Sequence, residues 1–204
     1  SDLAILRTFA KTLGHRASDV LERPFVRYVL NQPPKARDHF YGLKEAKPDL
    51  RGVALYDRLD QSLNERGELR EMMWARREIE NYLCYPEVLL EYAGEQAKRE
   101  TAGPLFAPAE QKKRVDIMRE CTKRIVPPIA LENCDDEWWS NVKASDELLD
   151  RVFALYFERL GLPNLMRKSD YHQLARFVRL EMLAAEITEK LDAIAEAADA
   201  AVPA

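Results

Sequence analysis

The sequence predicts an α/β fold: a mostly parallel sheet flanked by helices, followed by a largely helical C-terminal part. Three observations predict it. Two short apolar runs, residues 25–30 (FVRYVL) and 52–56 (GVALY), are bounded by turn residues and separated by one amphipathic stretch, the order that parallel pairing requires. Beyond Pro86 the apolar residues recur at helical spacing. Glycine is scarce, 7 in 204 residues, which favours helix over turn-rich β structure.

The elements follow in order. Ser1 and Asp2 both suit a helix N-cap, and Leu6, Phe9, Ala10 and Leu13 continue at helical spacing up to Gly14, a C-cap residue. With no initiator Met and a helix at its very start, the chain reads as a fragment of a longer protein. Residues 25–30 lie between Pro24 and Asn31-Gln32-Pro33-Pro34, the signature of a buried strand. Residues 35–47 form an amphipathic helix closed by Pro48, and residues 52–56 a second buried strand ending on Asp57. Residues 61–68 are polar and loop-like. Residues 72–83 (MMWARREIENYL), if extended, alternate Trp74, Arg76, Glu78, Glu80 and Tyr82 on one face. A helix competes there, because Met, Ala, Arg and Glu favour it. Helices are predicted over 87–99, 109–125, 145–160 and 169–201. The clearest apolar stripes are Leu149, Val152, Phe153, Tyr156, Leu160 and then Tyr171, Leu174, Ala175, Val178, Met182. Residues 101–108 and 127–139 read as loops.

Composition narrows the function classes. Hydrophobic residues make up 47% and charged residues 32%, an ordinary globular balance. The net charge of −4 excludes a generally basic surface while leaving room for a local basic groove. No apolar run reaches the roughly 20 residues that cross a bilayer, and no signal peptide opens the chain. Cys84, Cys121 and Cys134 are odd in number and share no CxxC spacing, which points to a reducing cytoplasm rather than a disulfide framework or zinc site. There is no GxxxxGK[ST] or GxGxxG phosphate loop. His15, His39 and His172 share no ligand spacing, and Trp138-Trp139 suit packing better than base stacking.

Three constellations bear on chemistry. Asp57-Arg58-Leu59-Asp60 stands at the C-terminal end of a predicted strand, where open α/β sheets bind ligands, and paired carboxylates suit a hard divalent cation. Asp is equally common at the start of a plain turn. Glu78 and Glu80, with Arg76 and Arg77, would lie on one side of a strand about 6 to 7 Å apart, a spacing for shared metal or for a solvated ion-pair face. Lys168, beside Arg167 and before Ser169-Asp170, sits at a helix mouth. There a lysine either meets a phosphate or is an ordinary helix-start cation.

These segments together resemble the Toprim domain at the C-terminus of ATPases of the overcoming-lysogenization-defect (OLD) type. SDLAIL (1–6) is similar to the end of the family's first motif, a strand finishing in Glu-Gly-x-Ser/Thr-Asp before a helix. GVALYDRLD (52–60) is similar to the strand ending in the paired-Asp motif, WARREIENYLCYP (74–86) is the most specific match, and KSDYHQL (168–174) resembles the segment of the catalytic lysine. The resemblance implies a Toprim-like core over residues 1–93 and a helical region over 94–204 that contributes Lys168. It places the first strand and its metal-binding glutamate upstream of this chain. Leu59 occupies the expected second position of the Asp-x-Asp pair, and the next acid is Asp60.

What the resemblance implies is a metal-dependent DNA endonuclease or nickase module of a larger ATPase, using Mg²⁺ or Mn²⁺ in a two-metal site. Asp57 would be the central ligand and Asp2 would support the first metal. Asp60 with Glu78 or Glu80 would hold the second, and Lys168 would stabilise transition-state charge. The implied partners are DNA, the upstream ATPase domain and further copies in a homo-oligomer, with no membrane. The alternative is a non-catalytic Toprim module for regulation or assembly of the ATPase.

Overall fold

The computed structural model describes residues 1–100 and 107–201. In chain order the elements are α1 (Asp2–Leu13), α2 (Ala17–Glu22), α3 (Pro33–Lys44), β1 (Gly52–Tyr56), β2 (Leu69–Met73), a 3₁₀ turn (Ile79–Leu83), α4 (Pro86–Glu100), α5 (Ala107–Ile125), α6 (Pro128–Glu132) and α7 (Trp138–Asn141). A π-helical turn (Ala144–Leu149), α8 (Asp150–Leu160), 3₁₀ helices (Lys168–Phe177 and Leu180–Met182) and α9 (Ala185–Asp199) complete the chain. The fold is α/β and mostly helical, with a small two-stranded parallel sheet. It divides into two compact units, one of Ser1–Ile5 with Ile79–Arg179, the other of Leu6–Glu78 with Leu180–Ala204. Among the described residues no helix is long and apolar enough to cross a membrane.

Helix α1 ends as its sequence dictates. Gly14 adopts φ +59°, its N–H donates to the Lys11 carbonyl at 3.1 Å, and His15 N–H donates to Ala10 at 2.8 Å. This is a Schellman ending, which requires a left-handed residue and so favours glycine. Gly161 closes α8 the same way, at φ +68°, with Leu162 N–H donating to Phe157.

The second unit holds the sheet. Strand β1 pairs with β2 in parallel register from Gly52↔Leu69 to Tyr56↔Met73. Ala36, Phe40, Tyr56 and Leu69 form a buried cluster, with Val29, Leu50, Leu59, Leu63 and Met73 packed against it. Within this unit α9 packs on α2 and on β1. His15 Nδ1 accepts the Ala17 N–H at 3.1 Å, so the other nitrogen, Nε2, carries the proton and donates to Asp192 at 3.1 Å.

Two predicted strands are corrected in this unit. Residues 25–30 join no ladder among the described residues: Phe25 is 81% exposed, and Leu30 and Asn31 have positive φ. Only Val29 reaches the core. An apolar β-branched run has the composition of a buried strand, but a strand also needs a neighbour, and here the partner of β1 is β2. Residues 72–83 are not one strand. The ladder ends at Met73, residues 74–78 are irregular, and Ile79–Leu83 is a buried 3₁₀ turn. The alternation that would set Glu78 and Glu80 on one sheet face is therefore absent. The predicted helix over 35–47 begins earlier, at Pro33, where proline suits the first helical turn.

The first unit is helical. Helix α4 packs along α5, and α5 along α8. Tyr92 meets Phe153 edge-on at 5.3 Å, and Phe153 stacks on Tyr171 at 6.0 Å. Arg114 on α5 is buried yet paired, to Glu110 at 2.9 Å and Glu100 at 2.6 Å. Buried Asn81 donates to the carbonyls of Trp139 at 2.8 Å and Val142 at 2.9 Å. The Trp139 indole N–H in turn donates to Ala130, which makes Trp139 a packing residue.

The predicted loop over 127–139 contains α6 and the start of α7, and that over 101–108 lies outside the described residues except for Ala107 and Pro108, which open α5. The helix predicted continuously over 169–201 is broken. Tyr171, Leu174 and Phe177 are all buried at a spacing of three, the period at which side chains eclipse in a 3₁₀ helix. Extended backbone at Val178 and Ala184 then separates this segment from α9. Cys84 and Cys121 are buried free thiols and Cys134 is exposed.

Candidate functional site

The parallel register of β1 and β2 delivers Asp57 directly beyond the C-terminal end of β1, half-buried. Trp74 N–H donates to the Tyr56 carbonyl at 3.0 Å, closing the ladder at that end. One further backbone bond follows, from Arg58 N–H to the Arg77 carbonyl at 3.1 Å. Asp57 and the buried Glu78 thus flank a single hydrogen bond across two chain segments. Asp60 belongs to the same unit and is exposed. Leu59, in the position where the resemblance expects an acid, packs on the Phe40–Tyr56 cluster, and its N–H points to Met73 Sδ at 3.4 Å.

The remaining predicted site residues belong to the first unit. Asp2 is exposed in the first turn of α1, where its charge suits the helix dipole. Glu80 is half-buried in the 3₁₀ turn, and its backbone carbonyl accepts from Cys84 Sγ at 3.2 Å. Lys168 opens the long 3₁₀ helix, exposed, with Nζ 2.5 Å from Asp146 Oδ1. Lys143 pairs with the other oxygen of the same carboxylate. These two ammonium groups, Lys143 first, hold the Asp146 carboxyl down at about 2. Beside them the Tyr171 hydroxyl donates to Asp150, and burial pushes that phenol well above its ordinary value.

Sequence reasoning missed a second acidic centre, Glu71, in the middle of β2 and 1% exposed. Its carboxylate accepts Arg37 Nε at 2.9 Å and Arg37 Nη2 at 2.8 Å, a bidentate pair. It also accepts the Tyr56 hydroxyl at 3.3 Å and the Asn64 N–H at 3.2 Å. The same carboxylate raises the Arg37 guanidinium, and burial together with Glu71 pushes Tyr56 well above its ordinary value. Glu71 thereby ties α3, β1 and the segment after Asp57 to one point, and its donors occupy it. The sequence signal was one acid within an otherwise largely apolar strand.

Asp57 and Glu78, on the two segments joined by the Arg58–Arg77 backbone bond, supply oxygen donors of the kind Mg²⁺ takes, one or two carboxylates with water and phosphate completing the shell. Among the described residues no three His, Cys, Asp or Glu side chains are grouped as a ligand set. No family model, curated protein or solved structure matches the chain.

Proposed function

We propose that the chain is a Toprim-type nuclease module of an OLD-like ATPase, hydrolysing DNA phosphodiesters with Mg²⁺ or Mn²⁺. The observation that supports this best is the juxtaposition of Asp57 and Glu78 at the C-terminal end of a parallel strand pair, bridged by the Arg58–Arg77 backbone bond. That end of a parallel sheet is where α/β folds bind ligands. In this reading Asp57 is the principal metal ligand, with Glu78 and Asp60 of the same unit beside it; the supporting roles of Asp2 and Glu80 rest on the resemblance alone. A bound divalent ion would activate water and neutralise charge on the scissile phosphate. The resemblance gives Lys168 the role of stabilising developing charge; within the first unit its exposed ammonium pairs with Asp146. DNA, an ATPase domain and further copies of the chain are the partners of this reading.

The test is Mn²⁺ calorimetry on wild type, Asp57→Ala and Glu78→Gln, run beside plasmid nicking in Mn²⁺. Weak wild-type binding that disappears in Asp57→Ala is expected, with nicking lost in step. Lys168→Ala should slow nicking roughly a hundredfold, the scale for losing one preorganised charge, while metal binding stays nearly intact. Equal metal binding by wild type and Asp57→Ala would remove Asp57 from the site. A second reading, a non-catalytic Toprim module, is favoured by Leu59, which spends the second acidic position on core packing. Metal binding without nicking is its signature.

A further inference from the structure

The segment between α2 and α3 carries an unusual surface. Residues 23–37 contain Arg23, Arg27, Lys35 and Arg37 and no acid, in a chain whose net charge is −4. Arg37 is engaged by Glu71, whereas Arg27 and Lys35 are exposed and form no ion pair among the described residues. Between the cations stand exposed aromatics, Phe25 at 81% and Tyr28 at 56%. The Phe25 ring lies nearly parallel to the His39 imidazole, 6.1 Å away at 12°, so it is held in a defined plane while most of its surface stays open. The segment also packs on the core at Val29. It then turns through Leu30 and Asn31, both at positive φ, with Gln32 N–H donating to Val29 at 3.1 Å. A leucine at φ +53° is a strained, exposed residue, of the sort that concentrates where a chain serves a ligand.

We infer that this segment is a binding surface for single-stranded nucleic acid, with Phe25 and Tyr28 stacking on bases and Arg23 and Arg27 meeting phosphates. Charge complementarity selects the occupant: an acid-free stretch with interleaved arginines fits a polyanion. Planar rings beside guanidinium groups suit unpaired bases, whose faces are open to stacking. A lipid surface fits less well, because it is met by an amphipathic helix or a dense lysine cluster, and residues 25–30 form no helix. The inference shares its DNA partner with the nuclease reading but uses none of its carboxylates, so oligonucleotide binding and metal-dependent nicking fail separately.

The probe is a fluorescein-labelled oligothymidine of about twelve nucleotides, within the span of short single-strand sites, followed by anisotropy across a salt series without divalent metal. Binding that weakens steadily with salt is expected. The double variant Phe25→Ala with Tyr28→Ala should lose at least about tenfold in affinity, and Arg27→Ala should flatten the salt slope by about 0.7, one phosphate contact. All three side chains are exposed, so circular dichroism and melting should stay at wild-type values. Ile129→Ala, an exposed apolar change in the other unit, should bind like wild type. The inference is overturned if wild type does not bind, if the double variant binds as tightly, or if the Arg27 change leaves the salt slope untouched. It is equally overturned if the double variant instead abolishes binding to phosphatidylserine vesicles or dissociates a dimer while oligothymidine affinity is unchanged.

Discussion

Replacing Glu71 by leucine isolates the energetic role of the carboxylate inside β2. The side chain is only 2% exposed, and leucine fills much of its volume, so the perturbation is chiefly one of polarity. Arg37 loses its partner but its side chain is 45% exposed, and water takes over its donors. The Tyr56 hydroxyl does not share that escape, because its bond to Glu71 is buried, whereas Asn64 is exposed and its N–H can turn to water. An unsatisfied buried donor costs about 1–3 kcal/mol, so Glu71→Leu should lose about 1–3 kcal/mol. For a chain of this size that lowers Tm by about 2–12 °C. Tyr56→Phe, which removes one donor and leaves the carboxylate three, should cost under about 1.5 kcal/mol. Thermal melts followed by far-ultraviolet circular dichroism decide it. If Glu71→Leu melts within about 2 °C of wild type, or Tyr56→Phe is the more damaging change, the network is not a load on the fold and the reasoning fails.

Two further outcomes follow from local geometry. Leu30→Asn should raise stability by about 0.5–1 kcal/mol, because asparagine tolerates the left-handed region where leucine is strained and the leucine is 77% exposed; a lower Tm than wild type would contradict this. Stability should also fall as pH rises beyond about 10. Burial raises Tyr56, Tyr156 and Tyr171 above their ordinary value and pushes Tyr92 up to about 12, so the folded chain keeps protons that the unfolded chain releases. Their contribution is complete below the unfolded value and is lost as pH climbs toward the folded one. Phenolate absorbance measured beside circular dichroism should show these four ionising only as the chain unfolds. Reversible ionisation of all four near pH 10 in a folded chain would refute it.

Where the determinants are local, the sequence is legible. Strand β1 occupies the expected residues 52–56, and α1 begins at Asp2 and stops at Gly14, since capping and left-handed backbone are decided within a few residues. Asp57 at a strand end was legible for the same reason. Residues 25–30 misled because apolar composition specifies burial only if a partner strand exists. The 3₁₀ helix over Lys168–Phe177 misled because a spacing of three and a spacing of 3.6 share most of their positions over ten residues. Glu71 was invisible because its meaning depends on Arg37, 34 residues away. The link between the segments that carry Asp57 and Glu78 likewise rests on one non-local backbone bond, Arg58 N–H to the Arg77 carbonyl.

The connection between the two strands has a consequence for how the chain folds. Residues 57–68 link β1 to β2 without a helix. Parallel strands cannot be joined by a tight turn, so no local nucleus zips this ladder. The closure entropy of the intervening loop is met before the first ladder bond forms, and the Glu71 contacts arrive only once β1, β2 and α3 are all present. Pairs such as α8 with its preceding π-helical turn involve neighbouring residues and carry no such delay. The acid-anchored sheet is then a late event in refolding, and the order of events in the second unit is governed by a stretch of chain that has no regular structure of its own.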